Sequence, residues 1–371
     1  MKKFLAILLA AILLISSVSC SDYEPVESTP EESRVVITMS FGGEKYEIKY
    51  ELYRALFLNN KSKVDGGDPS VWSGADKATY INKINELIIS DAAKIFAAFY
   101  VSGTGAGFNV YSSKADNLVE EYVKESVEGS EEIPGFGTYE KYLAHLKSIN
   151  LNYATQDLMF RYYIALEKIS EFYGGTTEAT TPDVEEMLDA NIATPVDGVR
   201  KFYYSNDFKR VLYAYFHEKT EYFNKNETTP EAFREKLISA AEGGADAVKS
   251  IIGQSTATPA ADIACGLFIP KNSFGNDLFD SISAAAFALS DGDVSEMITL
   301  NETGEANLDG IYFLYNIEKS EEDFEKYYSL IRIAYLDDVM GKNLHSHAAT
   351  LKRSVEYTSD YSSINHSEIS M

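Results

Sequence analysis

Cysteine, histidine and positive charge are all scarce in this chain of 371 residues, which has two Cys, five His and one Trp. Lys and Arg number 33 against 57 Asp and Glu, so the formal net charge is −24. A surface this acidic repels phosphate backbones and anionic headgroups, and we therefore expect no nucleic-acid partner. Aromatic residues are plentiful instead, with 26 Tyr and 20 Phe.

The short motifs of hydrolases, zinc proteases, phosphate loops and EF-hands do not occur in the sequence. His345 and His347 are two residues apart in a predicted helix, so their side chains point to different sides. Residues 103–107 are glycine-rich, but they follow a predicted helix and lack the Lys-Ser/Thr pair of a phosphate loop. The remaining histidines, His145, His217 and His366, are isolated. We expect no metal and no cofactor.

The first twenty residues indicate export from the cytoplasm. Lys2 and Lys3 precede an apolar run over residues 4–15, which is shorter than the ~20 residues of a membrane-spanning helix. Small residues and then Cys20 follow, in an order that resembles a bacterial lipoprotein signal. The prediction is a signal peptide over 1–19, lipidation of Cys20 and an extracytoplasmic, membrane-anchored protein. Ser17 stands where that signal usually has Leu, so plain secretion remains the alternative.

Residues 20–34 are rich in Ser, Thr, Glu and Pro, a composition that predicts a disordered tether. A β-rich run then begins at Val35, and Gly42-Gly43 predicts a hairpin turn. Helical periodicity follows over residues 75–100, 113–128, 139–149, 152–172 and 183–191. If Cys20 is lipidated, Cys265 is the one remaining thiol, so the hydrophobic core must stabilise the fold without an internal disulfide.

Three pieces of this region resemble the N-terminal chaperone region of SurA/PrsA-type foldases. They are GEKY at 43–46, TYEKYL at 138–143 and RYYIAL at 161–166. The resemblance implies that residues 35–197 form a helical chaperone domain, whose partners would be unfolded or newly exported polypeptides.

A second resemblance rests on AAFALSDGDVSEMI at 285–298 and DGIYFLYNIEKS at 309–320. These residues predict a helix, a tight turn at Asp291-Gly292, a strand entry and a closing strand. Their order is similar to the C-terminal half of parvulin-type peptidyl-prolyl isomerase domains. A parvulin-like domain over 198–319 follows, with strands at 210–216, 264–270 and 310–317 and helices at 230–242 and 277–289. Residues 320–356 are predicted to be one helix that packs on the helical domain, and 357–371 a polar tail.

The predicted fold class is therefore α+β, a helical SurA-like chaperone domain plus a parvulin-like domain with a small antiparallel sheet flanked by helices. Mapped by motif, the two family histidines fall at Tyr213 and Tyr312. Tyrosine keeps a flat ring and a hydroxyl, but it loses the second ring nitrogen and any titration near neutral pH. Two interpretations stay open, an isomerase with a tyrosine site and a core tyrosine pair in a domain that lost its activity.

The same resemblance places substrate-binding side chains at Leu267, Phe268, Phe274 and Phe287, for which ordinary core packing is the alternative. Cys265 does not match the spacing of the family's reactive residue, so we interpret it as an inert thiol. The expected function is an extracytoplasmic foldase-like chaperone with a degenerate isomerase domain. The alternatives are an active peptidyl-prolyl isomerase with a tyrosine site and a structural or solute-binding lipoprotein.

Overall fold

The computed structural model of the chain describes residues 23, 25–130, 134–174, 196–216, 223, 225–226, 228–253, 258–274, 280–300 and 310–370. The predicted signal peptide, Cys20, His217 and the helix over 183–191 lie outside these residues. The chain folds into two compact units. Unit 1 comprises residues 1–172 and 343–371, and unit 2 comprises residues 173–342.

The described residues form strands and helices in an α+β arrangement, which confirms the predicted fold class at that level. The strands are β1 (Val35–Phe41), β2 (Glu44–Lys49), β3 (Phe208–Phe216), β4 (Leu267–Pro270), β5 (Ile298–Leu300), β6 (Gly310–Asn316) and β7 (Glu356–Tyr357). The helices are α1 (Tyr50–Asp65), α2 (Lys77–Thr104), α3 (Ser113–Glu128), α4 (Tyr139–Ser148), α5 (Tyr153–Gly174), α6 (Val196–Tyr203), α7 (Pro230–Ala241), α8 (Ala245–Ile252), α9 (Ala260–Cys265), α10 (Asp280–Ala288), α11 (Glu321–Lys326), α12 (Tyr328–Arg353) and α13 (His366–Ser370).

Unit 1 contains a three-stranded antiparallel sheet in the order β2-β1-β7. The β1–β2 hairpin turns at Gly42 and Gly43, with φ of 61° and 89°. Positive φ at both central residues suits the right-handed twist of the flanking strands, and glycine adopts it without a steric penalty. The hairpin predicted from the sequence is confirmed here.

The long helix α2 supplies a large part of the core of unit 1, because Ile84, Ile88 and Ala92 are fully buried along one face. Among the described helices it is the one whose length and apolar composition would suffice to cross a membrane. More than half of that apolar window, 56%, is buried inside the fold, which is typical of a core helix.

Helices α3, α4 and α5 share a second core in unit 1. Their starts follow from capping, since the Ser112 hydroxyl accepts from the Ala115 N–H and the Thr138 hydroxyl from the Lys141 N–H. The buried side chains of this cluster are Val119, Val123, Val127, Tyr142, Leu146, Phe160 and Ile164. The predicted bounds agree with the observed ones to within two residues for all three helices.

The described part of the predicted tether is ordered on unit 1, and this corrects the prediction from composition. The Ser28 hydroxyl donates to the Glu51 carboxylate, and the Thr29 N–H donates to Glu32 Oε2 at 2.8 Å. The Tyr23 ring lies 5.3 Å from the ring of Tyr139. Side-chain hydrogen bonds of Ser, Thr and Glu stabilise local turns, so the same polar residues that suggested disorder here hold the segment in place.

The predicted polar tail is also folded. It contributes β7, a 3-10 helix (Ser359–Ser363) and α13 to unit 1. Ile364, Ile369 and His366 are at most 8% exposed. Few apolar residues occur in this Ser-rich segment, so its composition gave no sign that these three side chains fill the core.

Unit 2 contains a four-stranded antiparallel sheet in the order β4-β3-β6-β5. One face packs on α7 and α8 through a cluster that includes Phe216, Phe233 and Phe313. The other face carries Val211, Tyr215, Tyr312 and Leu314 together with Ile282 and Ala286 of α10. Alternate residues of a strand point to opposite faces, so β3 and β6 are covered on both sides.

The single helix predicted over 320–356 is two helices, α11 and α12, with Tyr327 between them at φ −115° and ψ 20°. The Tyr327 ring lies 3.9 Å from the Arg210 guanidinium, which is 3% exposed. Local periodicity does not report such a contact. The C-terminal part of α12 belongs to unit 1, where the His347 ring lies 4.7 Å from that of Phe41.

Candidate functional site

The structure brings Tyr213 and Tyr312 together on one face of the sheet in unit 2. Tyr213 pairs with Leu314 across the β3–β6 ladder, and Tyr215 pairs with Tyr312. The Tyr213 and Tyr312 ring centroids are 6.2 Å apart at an interplanar angle of 33°. The Tyr215 and Tyr312 rings stack at 4.5 Å and 16°. Three tyrosines therefore form one aromatic group at the position that the resemblance assigns to a histidine pair.

The Tyr213 hydroxyl has a defined partner, since it donates to Asp262 Oδ2 at 2.6 Å. Burial raises the pKa of Tyr213 well above its ordinary value, and the hydrogen bond and negative charge of Asp262 raise it further. The phenol therefore stays protonated across the physiological range and acts as a hydrogen-bond donor. It cannot exchange a proton near neutral pH as an imidazole does.

The chain that precedes Asp262 is tied to the same strand. The Thr258 hydroxyl accepts the Tyr215 N–H at 3.0 Å and donates to the Tyr213 carbonyl at 3.3 Å. After α9, Gly266 has φ 78°, and a Cβ at that residue would lie 2.9 Å from the Val211 carbonyl oxygen. A side chain there would clash with β3, so glycine permits the close approach that holds α9 beside Tyr213.

Leu267 belongs to the apolar cluster around the tyrosines. It packs with Ala285 and Leu289 against the buried side chains of Val211, Tyr215 and Tyr312. Leu267 therefore lies beside the tyrosines, where it and its neighbours are in contact with one another as a core.

Phe268 lies on the opposite face of the sheet, and the structure does not bring it together with the tyrosine pair. Its ring is 5.8 Å from the Tyr327 ring and 5.4 Å from the Arg210 guanidinium. Consecutive strand residues point to opposite faces, so Leu267 and Phe268 could not both line one groove. The prediction that grouped them is corrected.

Phe287 is half-buried and lines an open depression of about 620 Å³. The other lining residues are Asn206, Lys209, Lys271, Ala288, Leu289, Ser290 and Asp291. Lys209 is on the same face of β3 as Tyr213, and its Nζ donates to the Leu289 carbonyl at 2.7 Å. The depression thus adjoins the tyrosine face. Phe274 is 7% exposed and is not part of its lining.

Arg210 forms a separate buried polar centre behind the sheet. Its Nε donates to the Cys265 carbonyl at 2.8 Å, and its Nη1 lies 2.7 Å from Asp323 Oδ2. Cys265 is a free, half-buried thiol that packs beside the Val199–Phe208 cluster. These contacts connect β3 with α9 and α11, which is a structural role.

Sequence reasoning missed three members of the tyrosine site. Tyr215 could have been found, because it follows Tyr213 by two residues on a predicted strand and must share its face. Thr258 and Asp262 are distant from Tyr213 in the sequence, and no local pattern marks them. Within the described residues, no group of three His, Cys, Asp or Glu side chains could hold a metal ion.

No protein-family model matches the chain, and no curated protein matches it. Among solved structures it is similar to PrsA from Bacillus subtilis, at 14% identity over 87% of this chain and 93% of that chain, with a TM-score of 0.24. It is also similar to the foldase protein PrsA from Lactococcus lactis, at 14% identity over 91% of this chain and 100% of that chain, again with a TM-score of 0.24. A TM-score this low carries neither the fold nor the function of those proteins over to this chain.

Proposed function

We propose that the protein is an extracytoplasmic, lipid-anchored foldase-like chaperone that binds unfolded or newly exported polypeptides. Unit 2 is then a parvulin-like domain whose isomerase activity is degenerate. The observation that carries the proposal is the Tyr213–Tyr312 pair on one face of a four-stranded antiparallel sheet, with the Tyr213 hydroxyl bound to Asp262.

The order of elements in unit 2 supports the parvulin-like assignment. The elements β3, α7, β4, α10 and β6 follow one another in the order of the predicted strands and helices, whereas α8 and α9, which lie between α7 and β4, were not predicted. The turn at Asp291-Gly292 also has the expected form, because the Gly292 N–H donates to the Asn316 carbonyl at 2.8 Å and Gly292 has φ 85°.

The chemistry of the tyrosine site supports loss of activity. Rotation about a prolyl bond crosses a barrier of ~18–20 kcal/mol, and a catalyst lowers it by stabilising the twisted amide in an apolar pocket. In unit 2 the phenol of Tyr213 already donates to Asp262, and the Tyr312 ring is covered by that of Tyr215. Neither ring offers the proton-sharing pair of an imidazole couple.

A protease-coupled proline isomerisation assay tests this part of the proposal. The wild-type rate is expected to equal the uncatalysed rate. The double variant Tyr213→His/Tyr312→His tests whether the tyrosines are the cause, and an increase in its rate would support that explanation. Tyr204→His is the matched control, because it adds an imidazole at a position 47% exposed elsewhere in unit 2. A wild-type rate above the uncatalysed one would favour an active tyrosine site instead.

Apolar side chains exposed on unit 1 support polypeptide binding, because contact with an unfolded chain requires accessible apolar surface. Ile149 is 48% exposed and Tyr163 is 42% exposed. We expect the protein to suppress aggregation of a chemically unfolded client at comparable concentration.

The matched variants are Ile149→Ser and Tyr163→Ser, which should weaken the suppression, and Lys147→Ser, which removes an exposed polar side chain and should not. Absence of suppression by the wild-type protein would contradict a chaperone function. Saturable binding of one small ligand, without affinity for unfolded chains, would favour a solute-binding lipoprotein.

A further inference from the structure

The α3–α4 end of unit 1 carries a continuous row of aromatic rings. Tyr23 and Tyr139 are 5.3 Å apart, and Tyr139 and Tyr142 are 6.1 Å apart. Phe136 lies 5.8 Å from Tyr142 and 4.6 Å from the ring of His145. We call these five residues the aromatic row.

The aromatic row contains one ring that is buried in the core and others that are exposed to solvent. Tyr142 is 3% exposed and anchors the row in the core of α3, α4 and α5, whereas Phe136 is 36% exposed and His145 is exposed. The Phe136 N–H donates to the Ser126 carbonyl at 3.1 Å, so the backbone that carries the exposed ring is bound to α3. The aromatic surface is therefore a fixed feature of unit 1.

Tyr23 connects this row to the proposed lipid anchor. Its hydroxyl donates to Glu128 Oε1 at 3.3 Å, at the C-terminal end of α3. Cys20 precedes Tyr23 by three residues, which span at most ~11 Å even when fully extended. The polar headgroup layer of one leaflet is ~5–8 Å thick, so a lipid on Cys20 would hold the aromatic row at the bilayer surface.

We propose that the aromatic row of the anchored protein rests in the headgroup layer of the membrane and orients unit 1 by its α3–α4 end. This inference rests on the lipid anchor of the proposed function. Tyrosine suits the position, because a ring with an apolar body and a polar tip is enriched at membrane interfaces. His145 has the same amphipathic character, and Phe136 adds an exposed apolar ring.

Charge explains why the anchor is required. The surface near the row mixes acidic and basic residues, with Glu128 and Glu140 against Lys141 and Lys147, and the chain as a whole is strongly acidic. Binding to anionic leaflets needs a cluster of basic side chains, and the described residues around the row do not form one. Tethering replaces that attraction by a high local concentration of the row at the bilayer.

Fluorescence quenching by lipids tests the orientation. The chain from Cys20 onward, with Cys265→Ala, is coupled through Cys20 to a maleimide phospholipid in phosphatidylcholine vesicles that contain a nitroxide quencher near the headgroups. Phe136→Trp should lose fluorescence in these vesicles. Tyr111→Trp should keep it, because Tyr111 is 62% exposed at the other end of α3, ~24 Å away along the helix. Trp72 is 1% exposed and gives both variants the same background.

Equal quenching of the two probes, or none at Phe136→Trp, would overturn the proposal. So would a response of Phe136→Trp to an unfolded client without any quenching by the bilayer, since the row would then be a client site. Tyr23→Ala should abolish the difference in quenching between the two probes, because the segment that follows Cys20 would no longer be held on α3 by the Tyr23 side chain. Near-ultraviolet circular dichroism verifies that each variant is folded.

The chemical coupling makes this result independent of native lipidation. Metabolic labelling with a fatty acid tests the anchor itself, with Cys20→Ala as its control. Absence of label would refute the anchor in the proposed function, whereas the quenching experiment alone decides the orientation.

Discussion

His366 is a buried imidazole in unit 1 and should make that unit sensitive to mild acid. It is 7% exposed, and its Nε2 lies 2.9 Å from the Tyr53 hydroxyl. That hydroxyl donates in turn to Asn85 Oδ1 at 2.7 Å. Burial, together with the positive charge of Lys77, lowers the pKa of His366 from its ordinary value to about 4.

The direction of the effect follows from proton binding. Between pH 6.5 and 4 the unfolded chain carries a proton on His366 and the folded chain does not, so acid favours unfolding. The stability is complete above the unfolded pKa of ~6.5 and falls as the pH drops toward the folded value. Between pH 7 and pH 5 this residue alone should remove about 2 kcal/mol from the free energy of unfolding.

Urea unfolding at a series of pH values, followed by Trp72 fluorescence, measures this loss. Trp72 is a suitable reporter, because the Phe57 ring lies 4.8 Å from it and 5.9 Å from the His366 ring. The variant His366→Gln keeps a polar side chain that does not titrate, and it should lose about 2 kcal/mol less than the wild type between pH 7 and pH 5. His145→Gln, at an exposed histidine, should follow the wild type. Parallel pH profiles for wild type and His366→Gln would refute the assigned pKa shift.

Three further substitutions test unit 2, each by urea or thermal unfolding. Tyr213→Phe should cost about 1–2 kcal/mol, because the Asp262 carboxylate loses a charged hydrogen bond; an unchanged midpoint would contradict the 2.6 Å contact. Gly266→Ala should cost about 1–3 kcal/mol, since it combines φ 78° with a clash against the Val211 carbonyl. Arg210→Met should cost about 3 kcal/mol by breaking a buried ion pair and its aromatic stacking, and a stable variant would mean that the pair is dispensable.

Local patterns in the sequence were sufficient for most elements of the fold. The bounds of α3 agree with the periodic segment 113–128, and β1, β3 and β6 begin within two residues of the predicted strands. Capping residues, glycine turns and helical or strand periodicity act over a few residues. They are therefore visible in the sequence without knowledge of the partners.

The predictions that the structure corrects share a different cause. The ordered segment before β1, the folded C-terminus and the break at Tyr327 all depend on contacts with residues distant in the sequence. The predictions for these segments considered only the residues of each segment itself. Their stability comes from individual side chains that are bound elsewhere in the same unit.

The amino-acid order alone thus established an acidic chain with long helical segments, and a resemblance directed attention to Tyr213 and Tyr312. Only folding could decide that those tyrosines meet, that Asp262 binds one of them and that Phe268 lies behind the sheet. The physical reason is that strand pairing and helix packing join segments far apart in the chain. A contact between them depends on the register of the whole sheet, which no short window of sequence contains.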